Sequence, residues 1–268
     1  MDFYSEATCK NNVISLQNLN FSYNNEQILD DIELNIERGK FYSILGPNGS
    51  GKTTLIKNIS RIFNVENKSI FIEEKDIKQI STKELSKKLA VVPQHSNIDF
   101  DFSVMDIVLM GRAPYISRFS TESEKDIELT RKAMEMTNVW HLRNKSINSI
   151  SGGERQRVMI ARAICQNTNI MLLDEPISNL DIYHQIDILN TLKKLNIDNN
   201  ITIVAILHDL NLASTYSDYM VLMKDGKIYC KGKSEEVLTK EIIKQVYEID
   251  VHVMTNPVTG KPHIIPLI

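Results

Sequence analysis

The residues from Gly46 to Thr53, "GPNGSGKT", have the types and spacing best suited to chemistry in this chain. They fit G-x-x-x-x-G-K-[ST] in full, after the apolar run "FYSIL" and before a segment with helical spacing. Strand, glycine-rich loop and helix N-terminus in that order make an anion cradle. The glycines let backbone N–H groups turn around phosphate oxygens, and the helix end adds partial positive charge. Lys52 has the reach for β- and γ-phosphates, and the Thr53 hydroxyl suits Mg²⁺. Gly46, Pro47, Asn48, Gly49, Ser50, Gly51, Lys52, Thr53 and Thr54 are therefore the candidate nucleotide contacts. A turn that binds nothing would need neither the lysine nor the hydroxyl.

"IMLLDEP" supplies an acidic half. A buried strand ending in Asp174 and Glu175 delivers both carboxylates to the carboxyl edge of a sheet. There Asp174 is a candidate Mg²⁺ ligand and Glu175 a candidate base for an attacking water. Alone, two acids after a strand are as often a solvated loop. His208 ends the run "ITIVAIL" and Gln94 follows "AVVP", so both reach the same edge; either alone reads equally well as a structural hydrogen-bonder. A second glycine pair, Gly152 and Gly153 in "SISGGERQRVMIARA", opens a helical pattern far downstream. Ser151 and Glu154 also have capping-box spacing, so this stretch reads as an anion site, a helix cap or both.

The elements that must position these groups are short apolar runs alternating with helical segments. That pattern predicts a mostly parallel sheet covered on both faces. The opening third, "VISLQNLNFSY" and "ILDDIELNIERGK", alternates as antiparallel strands do, and residues between Gln94 and Ser149 hold helical patterns with no strand candidate. "DYMVLMKDGKIYCKG" reads as a hairpin turning at Asp225-Gly226, followed by one final helix, "SEEVLTKEIIKQVYEI", and a proline-containing tail. The fold expected is α/β: a P-loop NTPase core, an N-terminal antiparallel β subdomain and an inserted helical subdomain.

Composition narrows the field. The chain has 268 residues, 42% of them hydrophobic, and a net charge of -3, so no basic surface argues for nucleic acid. Cys9, Cys165 and Cys230 are widely separated, giving neither a disulfide framework nor a zinc site and suiting a reducing compartment. The N-terminus is too polar for a secretory signal, and no apolar run approaches the about 20 residues of a membrane span.

Together the motifs resemble the ATP-binding subunit of an ABC transporter, over nearly the whole chain from about Val13. The matches run in order: the phosphate loop, Gln94, "SGGER" at Ser151–Arg155, "IMLLDEP", "SNLD" at Ser178–Asp181, and His208. The resemblance implies a single nucleotide-binding domain over 1–268, with the helical subdomain at about 95–150. It implies that Glu175, His208 and Gln94 are catalytic, that Gln94 joins Thr53 and Asp174 at Mg²⁺, and that Tyr23 stacks on adenine. It places Ser151, Gly152, Gly153, Glu154 and Asp181 in the nucleotide set, but on the ATP held by a second chain, two chains sandwiching two ATP molecules head to tail. Three residues depart from the common pattern: Ile150 and Glu154 stand for leucine and glutamine in the signature, and Asn179 for alanine before Leu180-Asp181.

"SNIDFDFSVMDIVLMGRAPY", Ser96–Tyr115, resembles the importers of ferric siderophores, haem and cobalamin. It implies a homodimer at the cytoplasmic face of the membrane, bound to permease subunits and served indirectly by an external binding protein. Phe100, Phe102, Val104, Ile107, Val108 and Arg112 are expected on the side that receives a permease helix, unless they form the subdomain core. An exporter subunit, or a soluble ABC ATPase working on DNA or the ribosome, are the other readings; the absence of a repeat, a long insertion or a basic cluster counts against the latter.

Overall fold

Alternating residues near the N-terminus pair as β1 (Asn12–Tyr23) and β2 (Glu26–Glu37), antiparallel from Asn12 with Glu37 to Tyr23 with Glu26, with register shifts along the way. Asn24 and Asn25 turn the hairpin with positive φ of 44° and 71°, conformations asparagine tolerates. The computed structural model describes residues 11–64, 66–94, 100–117, 120–178 and 180–267, so Cys9, the segment 95–99 and Asn179 lie outside the described residues. Next come β3 (Phe41–Leu45), α1 (Lys52–Ile59), β4 (Ile70–Ile72), β5 (Lys75–Asp76), α2 (Thr82–Lys88) and β6 (Leu89–Val92). A helical stretch follows, with α3 (Val104–Leu109), α4 (Glu124–Met136) and α5 (Gly152–Gln166). The chain then runs through β7 (Ile170–Asp174), α6 (Ile182–Asn199), β8 (Thr202–Ile206), α7 (Leu210–Tyr216), β9 (Tyr219–Lys224) and β10 (Lys227–Gly232). It closes with α8 (Ser234–Val237), α9 (Lys240–Tyr247), β11 (Val251–Thr255) and β12 (Pro262–Pro266).

One sheet has the order β2-β1-β4-β5; the central one has the order β10-β9-β3-β8-β7-β6. In the central sheet β9, β3, β8, β7 and β6 are parallel and only β10 is antiparallel. Its inner strands β3, β7 and β8 are buried along their whole length because both faces are covered, whereas the edge strand β10 is partly exposed. Phe41, Met171, Leu173, Ile203, Ala205, Met220 and Leu222 face a core shared with the helices. Their neighbours Ile44, Leu172, Val204, Ile206 and Val221 face a second core shared with α1 and the β1–β2 sheet. Period-two alternation between two buried faces produces the near-continuous apolar runs.

Between residues 100 and 150 the described elements are helical, apart from a single bridge of Ser103 with Ser146. Ser103 and Ser123 start α3 and α4 with capping boxes to Asp106 and Asp126. The expectation that Val104, Ile107, Val108 and Arg112 face a partner is corrected. The three aliphatics are at most 2% exposed in the core, and Arg112 is 5% exposed. Its Nε donates to Asp126 Oδ1 at 2.8 Å and its Nη1 to the Cys165 carbonyl at 3.0 Å, while Tyr115 covers the guanidinium. Arginine thus ties the start of α4 to the carbonyls that end α5, groups no helix can satisfy internally. Phe100, 71% exposed, and Phe102 stay at the surface.

The C-terminal segment also differs from expectation. The final helix is two, because Thr239 starts α9 afresh, its hydroxyl accepting from the Ile242 amide. The proline-containing tail is a β-hairpin, β11 with β12, that buries Val251 and Ile264 in the main core.

Candidate active site

The phosphate loop leaves β3 at the carboxyl edge of the parallel strands. Gly46, with φ of 145°, starts it; a Cβ there would lie 2.1 Å from the Met223 carbonyl oxygen, so only glycine fits. Gly51, at φ 96°, begins α1 without any side-chain cap, which leaves the first-turn amides open to an anion. Lys52 is 6% exposed, and its ammonium donates to the carbonyls of Gly46 at 2.9 Å and Pro47 at 2.8 Å. Burial lowers its pKa against the opposing pull of Glu175 and Asp174. Ser50 Oγ is buried with no hydrogen-bond partner, a donor of the kind a phosphate oxygen would satisfy.

Strand β7 brings Asp174 to this loop: the Thr53 hydroxyl donates to Asp174 Oδ1 at 3.0 Å. Asp174 is 3% exposed, and burial raises its pKa while the Thr53 bond opposes the rise. One residue on, Glu175 adopts φ of 53°, a left-handed conformation costly for a residue with a Cβ. The Ser178 hydroxyl and amide both donate to the Glu175 carbonyl and hold that turn. Its carboxylate is spanned from two sides. Gln94 Nε2 donates to Oε2 at 2.7 Å, and His208 Nε2 lies 2.7 Å from Oε1. Lys52, Thr53 and Glu175 line one cleft with Asn48, Gly51 and Tyr23, a cavity of about 300 Å³. Tyr23 stands on its rim, 41% exposed and edge-on to Phe21 and Phe63.

The second glycine pair sits elsewhere, at the start of α5. Glu154 is turned back into a capping box: its Oε2 accepts from the Ser151 amide and hydroxyl, both at 2.8 Å, and the Glu154 amide donates to Ser151 Oγ. The Ser151 amide, then its hydroxyl, hold the Glu154 carboxyl below its ordinary pKa. The box leaves the Gly152 and Gly153 amides without intrahelical acceptors. A Cβ on Gly152 would meet nothing within 4 Å, so no contact inside the chain demands that glycine. Asp181 caps α6, accepting from the His184 amide at 2.9 Å.

Two contacts on this edge escaped the sequence reading. Tyr247 borders the loop with Pro47 and Asn48, and burial pushes its phenol up to about 12, against a hydrogen bond from the Gly46 backbone. Asn211, three residues past His208, bonds the terminal hairpin. The alternation in "VHVMT" and "PHII" around an Asn-Pro turn was the available signal.

This fold and loop define a P-loop nucleotide-binding domain. The ABC transporter family profile matches residues 29–178, more than half of the chain. The iron(3+)-hydroxamate import ATP-binding protein FhuC of Bacillus subtilis is 38% identical over 251 residues, spanning 94% of this chain and 93% of its own. A metal-chelate-type ABC transporter in an inward-facing conformation superposes with a TM-score of 0.82 at 28% identity, covering 96% of this chain and 98% of that one. A dimeric ATP-binding cassette in a post-hydrolysis state, bound to ADP and Pi, gives 0.73 at 29% identity over 82% and 98%. The chain belongs to the ABC transporter family and is an ATP-binding, ATP-hydrolysing subunit of that class.

Proposed function

We propose that this chain powers an ABC importer of iron chelates, haem or cobalamin. It acts as a homodimer on the cytoplasmic face of the membrane, bound to permease subunits that an external binding protein supplies. The chemistry rests on one observation: Glu175 is held between Gln94 and His208, beside Lys52 and Thr53. Lys52 and the loop amides bind and orient the phosphates, Glu175 takes the proton of the attacking water, and His208 and Gln94 hold that carboxylate in place. Tyr23 stacks on the base. Residues 1–268 form one nucleotide-binding domain in this reading, with the helical subdomain at about 95–150.

The Thr53 hydroxyl and the buried Asp174 carboxylate are hard oxygen donors 3.0 Å apart, a set suited to Mg²⁺. With Gln94 they would hold the ion, which when bound neutralises charge on the phosphates. The open space at Gly152 supports a signature, Ser151 and Gly153 included, that closes on the partner's ATP; Leu180, which precedes Asp181, packs against Gly153, and Asp181 belongs to the same trans set in this reading. No helix among the described residues is long and apolar enough to cross a membrane, and this reading gives that task to the permease. The import direction and cargo class rest on the Ser96–Tyr115 resemblance and on the similarity to the iron(3+)-hydroxamate import protein.

Two measurements test the reading. Glu175→Gln is expected to retain ATP and to hydrolyse it about a hundredfold more slowly or worse; normal turnover would overturn the catalytic assignment. Cells lacking the gene are expected to lose uptake of an iron chelate, haem or cobalamin, and wild-type uptake of all three would overturn the cargo class.

A further inference from the structure

His208 stands between two supports of different kind. On one side β8 is fixed in the middle of the central sheet, between β3 and β7. On the other, α7 starts at once: Asp209 caps it, accepting from the amides of Asn211 at 2.7 Å and Leu212 at 2.9 Å. Where α7 lies therefore sets where the imidazole points. What holds α7 is the terminal hairpin. Asn211 Nδ2 donates to the Ile264 carbonyl at 3.2 Å, and the Ile264 amide donates to Asn211 Oδ1 at 2.7 Å. One side-chain amide thus satisfies both backbone groups of a residue in β12 and substitutes for a neighbouring strand. One helical turn on, Ser214 Oγ donates to the Pro262 carbonyl at 2.8 Å. Spacing of three on a helix meets spacing of two on a strand, so both bonds fall on one seam. Lys261 Nζ closes it by donating to the Ser217 carbonyl at 2.8 Å and the Thr215 carbonyl at 3.2 Å, at the far end of α7. Ile264, whose backbone Asn211 engages, is anchored in the main core.

We propose that Asn211 is a positioning residue for His208, and that the C-terminal hairpin acts through it as a brace on the catalytic edge. The inference rests on the role given to His208 above. The hydrogen bonds of Asn211 run to Asp209, Thr215 and Ile264 and none to the phosphate loop, so its loss acts on turnover and leaves nucleotide affinity in place.

The test compares full-length dimers of wild type, Asn211→Ala, Ser214→Ala and His208→Ala in steady-state ATP hydrolysis. In Asn211→Ala kcat is expected to fall about tenfold, with KM for ATP within about twofold of wild type. In Ser214→Ala, which loses one bond of the seam, the fall is about threefold. Amide hydrogen exchange in both is expected to quicken across 207–212 and to stay unchanged across 46–53. Unchanged turnover, KM rising in step with the fall in kcat, or exchange quickened over the whole chain would each overturn the brace. If Asn211→Ala does not fold, Ser214→Ala decides on the same readings. Full turnover in His208→Ala would overturn the role of His208 itself. Loss there with normal turnover in the seam variants would overturn the brace alone.

Discussion

His208 Nε2 and Glu175 Oε1 are 2.7 Å apart, although 33 positions separate the two residues (208 − 175). Each lies just past the end of a strand in the same central sheet, β8 and β7, and the register pairing Asp174 with Ile206 brings the residues that follow close together. Groups that act as a unit lose activity non-additively. The Glu175→Gln/His208→Ala double variant is therefore expected to hydrolyse ATP about as slowly as Glu175→Gln alone. Multiplied losses in single-turnover kinetics would separate the two roles.

The uncommitted face at Gly152 bears on assembly. A dimer mixing a Lys52→Ala chain with a Ser151→Arg chain joins one intact phosphate loop to one intact signature if the signature acts across the interface. Such a dimer, purified through separate tags, is expected to occlude one ATP, where either variant homodimer occludes none. If the mixed dimer occludes none while wild type occludes normally, the glycine pair is only a helix start.

Arg112 bears on stability rather than docking. Arg112→Met leaves the carbonyls that end α5 without their donor and Asp126 without its cation, and is expected to destabilise the isolated subunit by about 3 kcal/mol in denaturant melts. The pH dependence has a fixed sign. The Ser123 hydroxyl first, then Arg112, hold the Asp126 carboxyl at about 2, below its ordinary 3.8. A depressed carboxyl gives stability that is complete above its unfolded value and is lost as pH falls through the folded one. Wild-type stability should therefore drop between about pH 4 and 2 by more than that of Arg112→Met. Parallel curves would remove the pair from the acid response.

Phe100 offers the opposite case. At 71% exposed it packs little within the chain, so Phe100→Glu is expected to keep the melting temperature and basal ATPase while lowering cargo uptake with the permease. A lowered melting temperature would return Phe100 to the subdomain core.

The sequence by itself determined the phosphate loop, the signature cap and the Asp225-Gly226 turn, whose signals are local. "GPNGSGKT" specifies its own loop because glycine is the residue that reaches φ of 145° at Gly46 and 96° at Gly51, and the neighbouring runs are apolar enough to be buried strands. Ser151 and Glu154 three residues apart likewise specify their capping box, since both partners lie within one helical turn. Asp225-Gly226 specifies its turn for the same local reason. Tertiary structure decided what depends on distant partners. Arg112 has a charge that suits a surface, and it became a core residue because α4 and α5 both present it with unsatisfied acceptors. The tail's alternation was visible, but its seat on α7 depends on Asn211 and Ser214 meeting Ile264 and Pro262 about fifty residues later. Glu175, Gln94 and His208 were each legible as an edge residue. Their meeting at one carboxylate was fixed only by strand order, since β6, β7 and β8 lie side by side and end together.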